Sequence, residues 1–172
     1  GHRGPITKAF EYYAKAIELN PNESVYYHNL GTSVFLFRTD ATNFYKINEQ
    51  QVFDKALELY GKALKLSPKD FTLASDVAQT YYGIKPARTE DALAAWEFTL
   101  NIAGDDVQRE GVFLHMARVN MIAGRFDAAR EHLGKVRHES YQTLKDRIAR
   151  SIVEREVKAK SNDPASNAPA KD

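Results

Sequence analysis

Apolar and polar residues follow one another along this chain with the period of helices, and the pattern recurs. In AFEYYAKAIELNPNE, starting at Ala9, an aromatic stands four residues after the alanine (Tyr13) and a small residue three further on (Ala16). In a helix these three share one face. ALELYGKALKLSPKD repeats the design with Ala56, Tyr60 and Ala63, and ALAAWEFTLNIAGDD repeats it with Ala92, Trp96 and Thr99. GRFDAAREHLGKV is a weaker copy through Ala129, Leu133 and Val136.

A helix of a second kind precedes most copies. It carries Tyr27, Leu30, Gly31 and Val34 in the first case, Ala74, Val77, Ala78 and Tyr81 in the second, and Phe113, Met116, Ala117 and Asn120 in the third. The small residue marks a notch where another backbone must come close. Pro21 and Pro68 end helices, since proline cannot continue the ladder, and Gly124 can stop the helix before it. The pattern predicts about eight helices, over 6–19, 23–38, 49–66, 70–83, 89–103, 107–123, 126–138 and 140–160, and no strand.

Both ends of the array stand apart. The last helix places Tyr141, Leu144, Ile148 and Ile152 on one stripe and Asp146/Arg150, Glu154/Lys158 and Glu156/Lys160 on outward faces, as a solvating cap does. The first helix has the sequence of a second helix with no partner before it. Ile6, Phe10, Tyr13 and Ile17 are therefore expected to have less cover than their equivalents. Burying one such side chain stabilises by roughly 1.5–3 kcal/mol, so this stripe either packs adequately on its successor, lies against a preceding helix, or drives self-association.

The features LGTSV followed by ALELYGKALKLSP, and KAFEYYAKAIELNP, resemble the tetratricopeptide repeat, a helix-turn-helix unit of about 34 residues, over most of the chain from Lys8 to Arg137. The resemblance, to bacterial-type proteins of this family, implies an all-α, right-handed solenoid of antiparallel helix pairs. It comprises about three repeats, a leading half repeat and a capping helix, within one domain over 6–160. It also implies a groove on the concave face, lined by the first helix of each unit, that binds protein or peptide segments. By register the groove face presents Val25, His28, Thr32 and Phe35, then Thr72, Ser75, Gln79 and Tyr82, then Leu114, Arg118 and Met121. Some family members clamp a chaperone's C-terminal carboxylate with Lys, Asn and Arg. His28, Thr32, Ser75 and Gln79 stand at those positions here, so the expected ligand is instead an extended segment held by side-chain hydrogen bonds and a few apolar anchors.

Equivalent alanines are spaced near the repeat length except between Ala9 and Ala56, where RTDATNFYKINEQQ intervenes. Asn48 and Gln51 have the spacing of an N-cap and its reciprocal partner, so a helix starts there and 39–47 is left as a loop. Phe44 and Tyr45, with Ile47, either fold back over the lengthened helices or stand out as a partner contact.

Composition narrows the chemistry. Of 172 residues, 24 are Lys or Arg and 23 are Asp or Glu, so a net charge of +1 gives no broad field for a phosphate backbone, and nucleic acid is not expected. No cysteine is present, and the longest strongly apolar run, Val34 to Phe37, is far short of a membrane span. The compartment stays open. His2, His28, His115, His132 and His138 lie on different segments, and no nucleophile elbow, phosphate loop or paired-histidine motif occurs. No catalytic, cofactor or metal site is expected. Residues 1–5 read as a flexible segment and 161–172, rich in Pro, Asn, Ser and Ala, as a disordered tail. The expectation is an interaction module without enzymatic activity; the alternative is self-association through the first helix.

Overall fold

The computed structural model describes residues 4–162. They form α1 (Gly4–Leu19), α2 (Ser24–Leu36), α3 (Arg38–Tyr45), α4 (Glu49–Leu66), α5 (Phe71–Thr80), α6 (Thr89–Asn101), α7 (Asp106–Ile122), α8 (Phe126–Gly134) and α9 (Gln142–Ser161), with 3-10 turns at Tyr81–Gly83 and Glu139–Tyr141. No strand occurs among the described residues, and the protein is all-α. Gly4 and Pro5 are helical rather than part of a flexible segment, because a first-turn proline needs no amide hydrogen bond. Ser161 likewise belongs to α9. The remainder of 1–5, and 163–172 of the expected tail, lie outside the described residues.

Helix ends follow local chemistry. Asn48 and Gln51 form the reciprocal capping box, with bonds of 3.0 and 2.9 Å, and open α4 a turn early. Asp70 accepts from the Leu73 amide at 2.9 Å and Asp105 from that of Gln108 at 2.7 Å. Gly124, at φ 76°, takes the left-handed conformation that ends α7.

The chain divides into two compact units, Gly1–Ala87 and Arg88–Asp172. The boundary falls in the connector around Lys85, Pro86 and Ala87, all exposed, between the two helices the pattern assigns to the second repeat.

In the first unit α2 packs on α4. Leu30 and Val34 meet Val52, Ala56, Tyr60 and Ala63, all buried. Gly31 is the notch: a Cβ there would stand 3.0 Å from the Tyr60 ring and 3.3 Å from the Ala56 carbonyl. The ninth helix is α3, where a loop was expected. Thr39, Asp40, Thr42 and Asn43 favour helix only weakly, and the segment is helical because packing decides. Ala41 is fully buried, and Phe44 and Tyr45 fold back onto Phe10 of α1 at ring distances of 5.4 and 5.8 Å. Lys46, left-handed at φ 55°, ends α3. The insertion thus covers the stripe expected to be bare: Phe10 is 0% exposed, and Ile6, Tyr13 and Ile17 are half-buried against the same cluster.

In the second unit α6 and α8 each pack on α7, and α9 closes over α7 and α8. Leu114, Ala117, Met121, Ala129, Leu133, Val136, Ile148 and Ile152 form its core. The Glu110 carboxylate accepts the backbone amides of Arg137 and His138 at 2.7 and 2.5 Å, fixing the turn into α9. Those two amides hold its pKa below the ordinary range.

Replacing Phe44 and Tyr45 together by Ser uncovers Phe10. The expected loss is roughly 2–4 kcal/mol, seen as a lower melting temperature. Because all three rings touch, a cycle with Phe10→Ala should be non-additive by at least about 0.5 kcal/mol; an additive cycle would contradict the packing described.

Candidate functional site

Each unit carries a depression on its surface. The first lies between α2 and α5. Successive turns of α2 bring His28, Thr32, Phe35 and Leu36 to its wall, α5 brings Asp76, Gln79 and Thr80, and Tyr60 of α4 reaches it from below. Its volume is about 390 Å3. The Tyr60 hydroxyl donates to Thr32 Oγ1 at 3.1 Å. Burial raises the Tyr60 pKa, although the Thr32 and Thr80 hydroxyls pull the other way, so the phenol stays protonated. His28 Nε2 lies 3.6 Å from Asp76 Oδ2, an electrostatic contact longer than a hydrogen bond. Phe35 is wedged against Phe53, 5.9 Å between rings, and against Gly83, where a Cβ would come within 2.6 Å of its ring.

The cleft therefore pairs three hydroxyls, an amide, an imidazole and a carboxylate with the apolar surface of Phe35 and Leu36. Such a wall can satisfy the amides and carbonyls of an extended chain while holding one apolar side chain. Among the described residues no three His, Asp or Glu side chains gather as a metal would need, and no helix is long and apolar enough to cross a membrane.

The expected groove residues divide. His28, Thr32, Phe35 and Gln79 meet in the cleft, whereas half-buried Ser75 and Tyr82 do not line it. Leu114 is 3% exposed and belongs to the core of the second unit, so it is not a groove residue; α7 is covered on that side by its neighbours. Asp76, Thr80, Tyr60 and Leu36 were missed. Asp76 and Thr80 flank Gln79 on the same side of α5 at helical spacing, which is the signal that finds them.

Arg118 lines the second depression, about 410 Å3 between α7 and α9, with Met121, Ile122, Leu144, Arg147, Ile148, Ser151 and Arg155. Its α9 residues were read as cap rather than groove. The stripe Arg147, Ser151, Arg155, each four residues from the next, marks their common face.

No protein-family model matches the chain, and no curated protein matches it at a significant level.

Elsewhere in the second unit, the Trp96 and His115 rings stack at 4.1 Å with planes 6° apart. Stacking on an indole face favours an imidazolium, but burial, helped by the charge of Arg118, outweighs it and lowers the His115 pKa to about 4. In the unfolded chain this histidine titrates near 6.5. The unfolded state then binds the extra proton between those values, so stability is lost as pH falls from about 6.5 towards 4, by up to roughly 3 kcal/mol. His132, also lowered by burial, acts with the same sign. Denaturant unfolding at pH 7.5 and pH 5 should show the decline, and H115Q should flatten it. An equal decline in H115Q would contradict this account.

Proposed function

We propose that the protein is a non-enzymatic scaffold for protein or peptide segments, of tetratricopeptide-like design, binding through the faces of its first helices. The observation that carries this reading is the meeting of His28, Thr32, Phe35 and Gln79 in one open cleft. The repeat register singles out these four positions, and the cleft holds them around an apolar anchor site.

The chemistry of the cleft supports recognition rather than turnover. Tyr60 remains neutral, its hydroxyl proton donated to Thr32. Thr32 and Thr80 offer hydroxyls, and the Gln79 amide both donates and accepts, which suits a backbone presenting alternate N–H and C=O groups. Leu36, 60% exposed, offers apolar surface at the rim. The alternative is self-association through α1, whose Ile6, Tyr13 and Ile17 are half-buried.

The test is a displayed library of extended peptides selected on the full chain. Binders should lose at least tenfold in affinity for the double variant L36D/Q79A. Both side chains are exposed, so the melting temperature should barely move. Selection that yields only binders indifferent to this variant would refute the cleft as the binding face.

A further inference from the structure

The groove between α7 and α9 differs in kind from the cleft. Arg147, Ser151 and Arg155 stand on one face of α9 at successive turns, and Arg118 faces them from α7. Between them lie Met121, Ile122, Leu144 and Ile148. None of the eight lining residues is acidic or aromatic. A chain with a net charge of +1 has no general excess of cations, so three guanidinium groups around one apolar floor are a local arrangement. The nearby carboxylate of Glu156 is paired with Arg130 and Lys160.

From this juxtaposition we propose that the α7–α9 groove docks an acidic protein segment, its carboxylates taken by Arg147 and Arg155 and an aliphatic side chain between them seated on Met121 and Ile122. The proposal rests on the scaffold reading and gives it a ligand class. Guanidinium forks bind carboxylates in two-point fashion. Arg147 and Arg155 are two turns apart, about 12 Å along the helix axis, which one carboxylate cannot bridge. An extended chain advances about 3.3 Å per residue, so the matching segment carries acids about four residues apart. Ile122, 42% exposed, leaves apolar surface for the residue between them, and Met121 adapts to its shape. A single-stranded nucleic acid would want rings on which to stack bases, and the aliphatic floor offers none.

The probe is a fluorescein-labelled peptide, Glu-Glu-Leu-Val-Glu-Glu, titrated with the full chain and followed by anisotropy. It should bind, weaken as salt rises from 50 to about 300 mM, and lose at least tenfold with R147E/R155E, whose circular dichroism melt reports folding; R147Q/R155Q serves if the reversed pair unfolds. A Lys-Lys-Leu-Val-Lys-Lys peptide should prefer the charge-reversed variant. Equal binding of a Gln-Gln-Leu-Val-Gln-Gln peptide, indifference to both double variants, or tighter binding of a uridine dodecamer at the same arginines would each overturn the proposal. The L36D/Q79A variant should bind the acidic peptide normally. If selected peptides bind the cleft and the acidic one binds nowhere, this inference falls and the scaffold reading stands.

Discussion

The flat contact of Tyr60 on Gly31 links the core of the first unit to its surface. With no side chain at 31, α2 approaches α4 closely enough for the ring to be 2% exposed, and a Cβ would already press on it at 3.0 Å. The same placement carries the phenol past the core to Thr32, so a packing residue ends as a hydrogen-bond donor in the cleft. His28, one turn before Thr32, then lies 5.9 Å from the ring. The cleft is in this sense a by-product of helix packing: whatever fixes α2 on α4 also fixes the spacing of the groups that line it. Rigid helices rather than loops carry them, which reduces the entropy lost when a ligand is bound.

The insertion answers a difficulty set by the repeat. Helix α1 carries an apolar stripe through Ile6, Phe10, Tyr13 and Ile17, and a repeat buries such a face only against its neighbours. Helix α3 provides that cover through Phe44 and Tyr45 on Phe10, with the Lys55 ammonium 4.4 Å above the Tyr45 ring. Eight residues of weak intrinsic helicity would not hold as a helix alone. Their order is lent by the three aromatic rings and by Ala41, so α1 and α3 each depend on the other.

Much of this was legible in the sequence because it is written locally. The Asn48–Gln51 box, the proline stops and the Ala–aromatic–small faces need only neighbours in the chain, and all were found where the spacing put them. In the second and third copies Ala56, Tyr60, Ala63, Ala92, Trp96 and Thr99 are all buried. What was not legible depends on partners distant in sequence. The helicity of α3 depends on Phe10, more than thirty residues away. Leu114 has groove register, but helices from both sides bury it. Four of the eleven expected groove residues meet in the cleft; among the residues missed, Tyr60 was assigned to packing and α9 to the cap.

Charge makes the same point about local order. Total acid and base nearly cancel, and the total says little about what the surface recognises. In the second unit Glu90 pairs with Arg125, Glu131 with Lys135, and Glu156 with Arg130 and Lys160; each carboxylate is held below its ordinary pKa by its basic partner. Exposed pairs of this kind contribute little to stability, yet they decide where charge remains to be matched. Glu131 of α8 and Glu156 of α9 are engaged in this way, and no carboxylate stands among the residues that line the groove bearing Arg147 and Arg155. A nearly neutral chain can therefore present a cationic groove over an aliphatic floor without a field strong enough to gather nucleic acid indiscriminately. Selectivity for an acidic segment would then come from the spacing of the arginines along the helix rather than from net charge.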